Sequence, residues 1–293
     1  MHLEAPKAKL NLKHEIKQIL KTILFLNMAV ALIKFFIGFK AGSLSIIGDA
    51  VHSSIDSLNN VVALVMIRLA AAPPDQEHPY GHNKFETLGA LAIVAFLAIT
   101  SFELIEKSII RFLNPVELPN IDKLTLILLS VTLLVNIMVW LYERNAAKKY
   151  HSEILKADAA HTFSDILVTI SILISLVFIA QGYFWLDPVL TLVIAAIIMH
   201  SGWEIVQSTV PILVDEAWLQ ENEVKDLILS TNKVISFHGM RSRKVHDNAF
   251  LELSIKFATD SLQEAHDLSH EIEQKIIDKF GQAKITIHIE PEH

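Results

Sequence analysis

Two copies of the pattern His-x-x-x-Asp lie in two apolar stretches of the sequence. The first pairs His52 with Asp56, and the second pairs His161 with Asp165. Residues four positions apart lie one above the other on a helix, so each pattern offers an imidazole nitrogen and a carboxylate oxygen on one face. Together the two pairs supply four ligands suited to tetrahedral Zn²⁺, and two carboxylates balance the charge of the ion. The sequence therefore predicts a metal site between two helices.

Further polar residues extend both faces. Asp49 precedes the first pattern by three residues, and Asp158 precedes the second by three. A charged residue near the centre of a membrane helix costs about 2.5 to 3.5 kcal/mol, so such stripes are expected to face the inside of a bundle and to mark an ion path. Asp49 and Asp158 would be relay groups or a simple polar lining. The alternative for the whole constellation is a network of hydrogen bonds between helices.

The residue types also indicate which ion would use this path. The chain has no cysteine, so its metal ligands must be histidine and carboxylate side chains. Imidazole favours Zn²⁺, while Fe²⁺, Co²⁺, Ni²⁺ and Cd²⁺ stay open. After the metal leaves, two carboxylates and two imidazoles would remain in lipid, and protons are expected to replace it. This predicts metal export driven by proton entry.

The composition is that of a membrane protein. Of 293 residues, 52% are hydrophobic, and the mean hydropathy is +0.42. A net charge of −7 argues against binding to nucleic acid. Six stretches are long enough to cross a lipid bilayer as helices. They cover 19–39, 44–69, 88–110, 124–141, 155–180 and 188–206.

Lysine and arginine collect on one side of these spans. They are frequent in the N-terminal segment 1–18 and in the links after the second and fourth spans. Since positive residues are retained in the cytoplasm, both termini are expected to be cytoplasmic. The N-terminus lacks the small-residue cleavage pattern of a signal peptide.

After about residue 209 the sequence becomes charged and polar, which predicts a separate domain over 209–293. Its pattern is α-β-β-α-β, and the last strand is the clearest element. Ile285, Ile287 and Ile289 alternate with polar residues, so His288 and Glu290 share the polar face of a half-buried strand. The predicted fold class is thus an α-helical membrane protein, with six transmembrane helices over 19–208 followed by a cytoplasmic α/β domain. Helices are predicted over 218–229 and 262–280, and the first two strands over 234–245 and 249–257.

The paired motifs on the second and fifth spans, the six spans and the C-terminal pattern resemble the cation diffusion facilitator family of metal/proton antiporters. The resemblance covers nearly the whole chain. It implies a homodimer in a cell inner (cytoplasmic) membrane. The family's transport ligands correspond to His52, Asp56, His161 and Asp165 of this sequence. Relatives with Asp instead of His in the first pair are less strict, so His52 resembles the zinc-selective subset.

The same resemblance implies auxiliary metal sites. The loop after the second span carries Asp75, His78 and His82, which resemble a second site, although solvated surface histidines would look the same. In the C-terminal domain, the residues that match metal-binding positions between protomers are His238, His266, His288 and Glu290. Some bacterial relatives have a further histidine on the middle strand. The stretch 249–257 has none, which favours a single ion over a two-metal cluster.

Two other function classes fit a buried His/Asp site. One is an intramembrane metal-dependent hydrolase, but the HExxH motif is missing and four protein ligands leave no position for an activated water. The other is a metal-sensing membrane protein without flux, for which the chain shows no output domain. Transport is therefore the preferred hypothesis, and an enzyme is not expected.

Overall fold

The computed structural model of the chain describes residues 4–41, 44–113, 123–179, 181–246 and 248–291. The chain divides into two compact units, residues 1–209 and residues 210–293. Long helices build the first unit, with bounds α1 Glu4–Ala41, α2 Leu44–Ala70, α3 Lys84–Leu113, α4 Lys123–Tyr150, α5 Glu153–Ile179 and α6 Leu186–Leu213. The spans predicted for α2 and α5 agree with these helices within two residues at each end, whereas α1, α3, α4 and α6 extend beyond theirs because polar and charged residues continue the helices past their apolar stretches.

Among the described residues, five helices are long and apolar enough to cross a membrane, namely α1 over Leu12–Lys40 and the whole of α3, α4, α5 and α6. A shorter apolar stretch, Ser57–Ala70, forms the second half of α2. It follows the polar stripe predicted for the first half of that helix. The six helices agree with the predicted membrane domain.

The helices pack around an apolar core near one end of the first unit. Leu20 and Ile23 of α1, Ile67 of α2, Ile93 of α3 and Leu155 of α5 are all buried there. Large apolar side chains such as those of Phe36, Phe102 and Phe112 point outward and are more than half exposed. Because such an outer surface is unfavourable in water, it indicates contact with lipid.

Gly89 marks a close approach of three helices. A Cβ atom at this position would lie 2.7 Å from Cβ of Met66 on α2 and 2.7 Å from Cδ1 of Ile154 on α5. Protein interiors are close-packed, so this space is already filled. The absent side chain of Gly89 allows α3 to pack between α2 and α5.

Polar contacts hold the helices together at both ends of the first unit. At one end, Glu86 of α3 is buried, pairs with Lys13 of α1 and accepts a hydrogen bond of 2.5 Å from Ser152 before α5. At the other end, Arg111 of α3 donates to Asp187 of α6 at 2.7 Å. Buried charges need such partners, so each contact fixes the position of a helix end.

The second unit is a three-stranded sheet with helices. Its elements are α7 Glu221–Leu229, β1 Val234–Val245, β2 Asn248–Phe257, α8 Leu262–Phe280 and β3 Lys284–Glu290. The strand order is β1-β2-β3, with β1 and β2 antiparallel and β2 and β3 parallel. The predicted fold class, six helices followed by an α-β-β-α-β domain, is confirmed.

Local sequence explains the helix starts of this unit. Gln220 and Glu223 form a capping box, so α7 begins at Glu221 rather than at the predicted residue 218. Ser261 caps α8, its side chain accepting a hydrogen bond from the backbone of Glu264. One face of α8, which includes Ile272 and Ile276, packs into the domain core together with Leu253 and Ile255 of β2.

Candidate metal centres

The second and fifth helices of the membrane unit meet through polar side chains. The Asn59 amide of α2 donates to Nε2 of His161 at 2.9 Å. One turn closer to the start of α5, Asp158 accepts hydrogen bonds on both carboxylate oxygens from the Asn60 amide, at 2.9 and 3.0 Å. All four residues are buried, and Asp158 is 0% exposed. The polar stripe of α5 therefore faces α2, not lipid.

His161 and Asp165 lie on adjacent turns of α5, as the His-x-x-x-Asp spacing requires. Nε2 of His161 is 3.9 Å from Oδ2 of Asp165. Two atoms bound tetrahedrally at about 2.1 Å from one zinc ion lie about 3.4 Å apart. A small side-chain rotation would therefore allow both groups to bind the same ion.

The other two predicted ligands, His52 and Asp56, lie in helix α2, as does Asp49. Their side chains fall outside the described residues. Of the four predicted transport ligands, the structure thus describes the geometry of His161 and Asp165.

A cavity of about 340 Å³ borders these two residues. Its lining includes Lys34, Ser53, Glu103, Lys107 and Asn136 from the first four helices. Glu103 and Lys107 lie near the end of α3 and are 55% and 64% exposed, so the cavity reaches the surface at that end. On the opposite side of His161, the contact between Asn60 and Asp158 is tightly buried. Among the described residues, this cavity therefore leads to His161 and Asp165 from the end of the bundle near Glu103.

Lys34 of α1 belongs to the lining of this cavity. It is 4% exposed, and its ammonium group donates to the Ser53 hydroxyl of α2 at 2.9 Å. A buried ammonium group adds positive charge to a cavity that also holds Asp165. The electrostatics of the cavity thus depend on α1 as well as on α2 and α5.

Glu143 of α4 is another buried charged residue, and the sequence patterns did not predict its burial. It is 0% exposed, and neither carboxylate oxygen has a hydrogen-bond partner at normal distance among the described residues. Asp158, Thr162 and Asp165 of α5 are the polar groups close enough to influence it. The predicted fourth span ended at residue 141, which placed Glu143 in a loop. Extending the predicted fourth helix by one turn would have included Glu143.

The loop between α2 and α3 brings together its three predicted ligands. Nδ1 of His78 is 3.2 Å from Oδ1 of Asp75, and Nε2 of His82 is 3.3 Å from Oδ2 of Asp75. One ligand atom from each residue lies within 4.8 Å of the others. Within the described ranges, no other three His, Asp or Glu residues meet this criterion. Such a trio can bind one divalent ion and leave a position for water.

Backbone bonds shape this loop around Asp75. The His78 backbone N–H donates to the Asp75 carboxylate at 2.6 Å, and the Asp75 N–H donates to the His78 carbonyl at 3.3 Å. The bond from the His78 N–H, more than the nearby imidazoles, holds the pKa of the Asp75 carboxyl below its ordinary value. Gly81, with φ +86°, makes the tight turn that returns His82 toward Asp75. The loop therefore presents an ionised carboxylate between two imidazoles.

In the C-terminal unit, two predicted ligands meet across the sheet. His238 of β1, Ser254 of β2 and His288 of β3 share one row of the sheet. Nε2 of His238 is 3.3 Å from Oε1 of Glu290. The small side chain of Ser254 leaves room for this contact over the middle strand. His238, His288 and Glu290 thus lie on the face opposite the core.

His266 is not brought to this face. It lies on the exposed side of α8, whose buried residues Ala265 and Ser269 face the core. Its partner is His270, which the sequence prediction omitted, at 3.2 Å between the two Nε2 atoms. The four residues predicted by resemblance therefore fall into two groups within one chain.

Comparison with known families accounts for almost the whole chain. Residues 20–214 match the family model described as the cation efflux transmembrane domain. Residues 218–292 match the model described as the cytoplasmic domain of cation efflux proteins, whose short name refers to dimerisation. The boundary between the matches lies close to the boundary between the two structural units.

Several full-length relatives are similar to the chain. Protein p34 of Rickettsia prowazekii is 30% identical over 94% of this chain and 93% of its own length. An uncharacterized transporter of Methanocaldococcus jannaschii is 25% identical over 90% of this chain and 94% of its own. The cation-efflux pump FieF of Shewanella oneidensis is 26% identical over 88% of each chain.

Proposed function

The chain belongs to the cation efflux family of membrane transporters, and from that premise we propose that it exports a divalent transition metal ion, Zn²⁺ first, by exchange for protons. Membership agrees with the family expected from the paired motifs. It also makes the chain a transporter rather than the intramembrane hydrolase considered as an alternative. Similarity to a cation-efflux pump supports divalent metal export.

One observation carries the proposed site. His161 is buried at the contact between α5 and α2, beside Asp165 and at the end of a cavity that reaches the surface. Its partner Asn59 follows Asp56 by three residues and His52 by seven, so helical periodicity places the three on one side of α2. We assign the four transport ligands to His52, Asp56, His161 and Asp165.

The ligand chemistry supports zinc as the preferred ion. Two imidazoles and two carboxylates form a roughly neutral tetrahedral set around a dication, which lowers the cost of holding it within the membrane. Fe²⁺, Co²⁺, Ni²⁺ and Cd²⁺ use the same ligand types and are the competing substrates. When the ion leaves, protons taken up by the same groups would balance the charge. Metal and protons would therefore use the site alternately.

Access from one end supports transport by alternating exposure. The cavity approaches Asp165 from the end near Glu103, while Asn60, Asp158 and Glu143 close the other side. In the proposed cycle these contacts would open toward the cytoplasm to load the ion. Asp158 and Glu143 would then extend the path of carboxylates toward that side. Both chain termini would be cytoplasmic and the bilayer would be the cell inner membrane.

The auxiliary clusters have separate proposed roles. Asp75, His78 and His82 would bind a second ion in their loop, for which their close grouping is the support. In the C-terminal domain, His238, His288 and Glu290 would bind one ion at the contact between two chains of a homodimer, since they lie on an exposed sheet face. The name of the matching domain supports such pairing.

Transport by purified protein in proteoliposomes tests the site. Zinc flux and internal pH are followed together for the wild type, Asp56→Ala and His161→Ala, with His200→Ala as a matched control. His200 is an exposed histidine of membrane helix α6. Removing a ligand should lower flux more than about tenfold, at least as much as losing an outer-shell partner does. The control should keep wild-type flux.

The same experiment contains the contrary outcomes. If Asp56→Ala and His161→Ala both carry zinc at the wild-type rate, the assigned site is wrong. If zinc moves into weakly buffered vesicles while the internal pH never responds, proton exchange is wrong. Competition by Fe²⁺, Co²⁺, Ni²⁺ and Cd²⁺ ranks the substrates, and a stronger competitor than unlabelled Zn²⁺ would overturn the preference for zinc.

A further inference from the structure

A lysine of α1 lies buried beside the proposed transport site. Lys34 is 4% exposed and borders the same cavity as His161 and Asp165. The described lining of the cavity includes a second lysine, Lys107, but that side chain is 64% exposed and pairs with Glu103 at 3.2 Å. An ionisable residue inside a membrane bundle is costly and is by default part of a functional site. The position of Lys34 therefore indicates a role in handling the ion.

Contacts between α1 and α2 hold Lys34 in place. Nζ of Lys34 donates to the Ser53 hydroxyl at 2.9 Å, and the amide of Asn27 donates to Asn60 at 2.8 Å. Asn27 and Lys34 are seven residues apart, as are Ser53 and Asn60, so the two contacts lie about two turns apart along one face of each helix. Asn60 in turn donates to Asp158 of α5. The ammonium group therefore has a defined place in the cavity wall.

A fixed ammonium group at this place acts on an ion bound to the neighbouring ligands. Repulsion between like charges is stronger inside a membrane protein than in water, and a dication experiences twice the repulsion of a monovalent ion. Ser53 directly follows the assigned ligand His52, so the hydrogen bond from Lys34 holds the positive charge next to the turn of α2 that carries this ligand. Lys34 would therefore oppose binding of the dication while the cavity is open.

We propose that the Lys34 ammonium group weakens the hold of the transport site on its metal ion and thereby speeds release of the ion into the cavity. This role rests on the proposed function, because it concerns the same site. Differences in affinity between related sites lie mostly in the dissociation rate, so repulsion by a fixed charge shortens the residence time of the ion without removing a ligand. After the ion has left, the ammonium group stays and partly balances the charge of Asp165.

Zinc binding by the full-length protein in detergent tests this role. Equilibrium dialysis is carried out on the wild type, Lys34→Gln, Lys34→Met and Lys34→Arg. Each protein is also measured with His161→Ala added, so the difference within each pair gives binding at the transport site. Both neutral substitutions should tighten this binding at least about tenfold, because the repulsion is lost. Lys34→Arg keeps the charge and should keep the wild-type affinity.

Two binding results would overturn the role. One is a wild-type or weaker affinity in both Lys34→Gln and Lys34→Met, which would mean that the ammonium group does not oppose the ion. The other is a gain in affinity in Lys34→Arg as large as in Lys34→Gln, which would mean that charge is not the cause.

Zinc flux in proteoliposomes separates this role from a structural one. Lys34→Gln should lower the maximal rate, and zinc added on the side where the cavity opens should inhibit it at a lower concentration than the wild type, because the ion leaves more slowly. A lower maximal rate without stronger inhibition would indicate damage to the fold and would contradict the role.

The His161→Ala variant distinguishes failure of this role from failure of the proposed function. If His161→Ala loses an ion and its flux while Lys34→Gln behaves as the wild type, only the role of Lys34 is wrong. If His161→Ala binds and transports zinc as the wild type does, the assigned transport site is wrong and the role of Lys34 falls with it.

Discussion

In the membrane unit, Asp158 is 0% exposed and is held by Asn60 of another helix, whereas in the C-terminal unit His238 is 58% exposed and meets Glu290 over an open sheet face. The first arrangement costs desolvation and must be satisfied within the fold. The second leaves its polar groups in contact with solvent. Removing a polar partner should therefore lower the stability of the fold more in the membrane unit than on the exposed face of the C-terminal unit.

The ion pair between Lys13 and Glu86 should show the largest effect. Glu86 is 1% exposed, so Lys13→Ala would leave a buried carboxylate without its cation. We expect the free energy of unfolding in detergent to fall by about 3 to 5 kcal/mol. Lys148→Ala, at an exposed position of α4, is the control and should change it by less than about 0.5 kcal/mol. Equal effects of the two substitutions would show that burial of Glu86 does not set the cost of losing its partner.

Asn60→Ala should have the next largest effect. It removes the side chain that donates to both oxygens of Asp158, and the free energy of unfolding should fall by about 1 to 3 kcal/mol. Asn145→Ala on the exposed side of α4 serves as the matched control. Denaturant titration of both variants measures the difference. A stable Asn60→Ala protein would mean that water replaces the amide at Asp158.

Glu143→Met should act in the opposite direction on stability. Both carboxylate oxygens of Glu143 are buried without a hydrogen-bond partner at normal distance in the described part of the chain, and an apolar side chain of similar size removes that cost. We expect a gain of about 1 kcal/mol in unfolding free energy. Metal flux in proteoliposomes should fall in the same variant, because a carboxylate of the proposed path is lost. Lower stability with unchanged flux would give Glu143 a purely structural role.

The smallest effect is expected at the exposed pair of Lys233 and Glu264. Hydrogen bonds from Lys233 and Thr259 lower the pKa of the Glu264 carboxyl below 4.5. The pair therefore stabilises the fold above pH 4.5, and this contribution disappears as the pH falls through the lowered pKa. Lys233→Gln should lower the unfolding midpoint slightly at pH 7 and leave it unchanged at acidic pH. A loss that is independent of pH would contradict this assignment.

The length of the apolar stretches and the periodicity of apolar residues were sufficient to predict the six helices and the α-β-β-α-β domain. Both patterns depend only on residues close together in the sequence. The paired motifs also indicated the family. The contact of Asn60 with Asp158 could not be predicted, since it depends on how α2 and α5 are rotated about their axes. Glu143 was missed because the predicted span ended two residues before it, whereas α4 continues to Tyr150. The placement of His266 on the exposed side of α8 likewise depends on how α8 packs against the sheet, which adjacent residues do not determine.

Gly89 affects the separation of two membrane helices, although it is not itself a metal ligand. With 2.7 Å between its missing Cβ and the side chains of Met66 and Ile154, the α3 backbone sets the separation of α2 and α5 at that end. Those two helices carry the proposed ligand pairs. Ions differ in radius, and selectivity depends on the size and rigidity of the cavity as well as on its ligands. We therefore expect Gly89→Ala to shift the preference of the proposed site toward larger ions, although the added methyl group does not contact the ion.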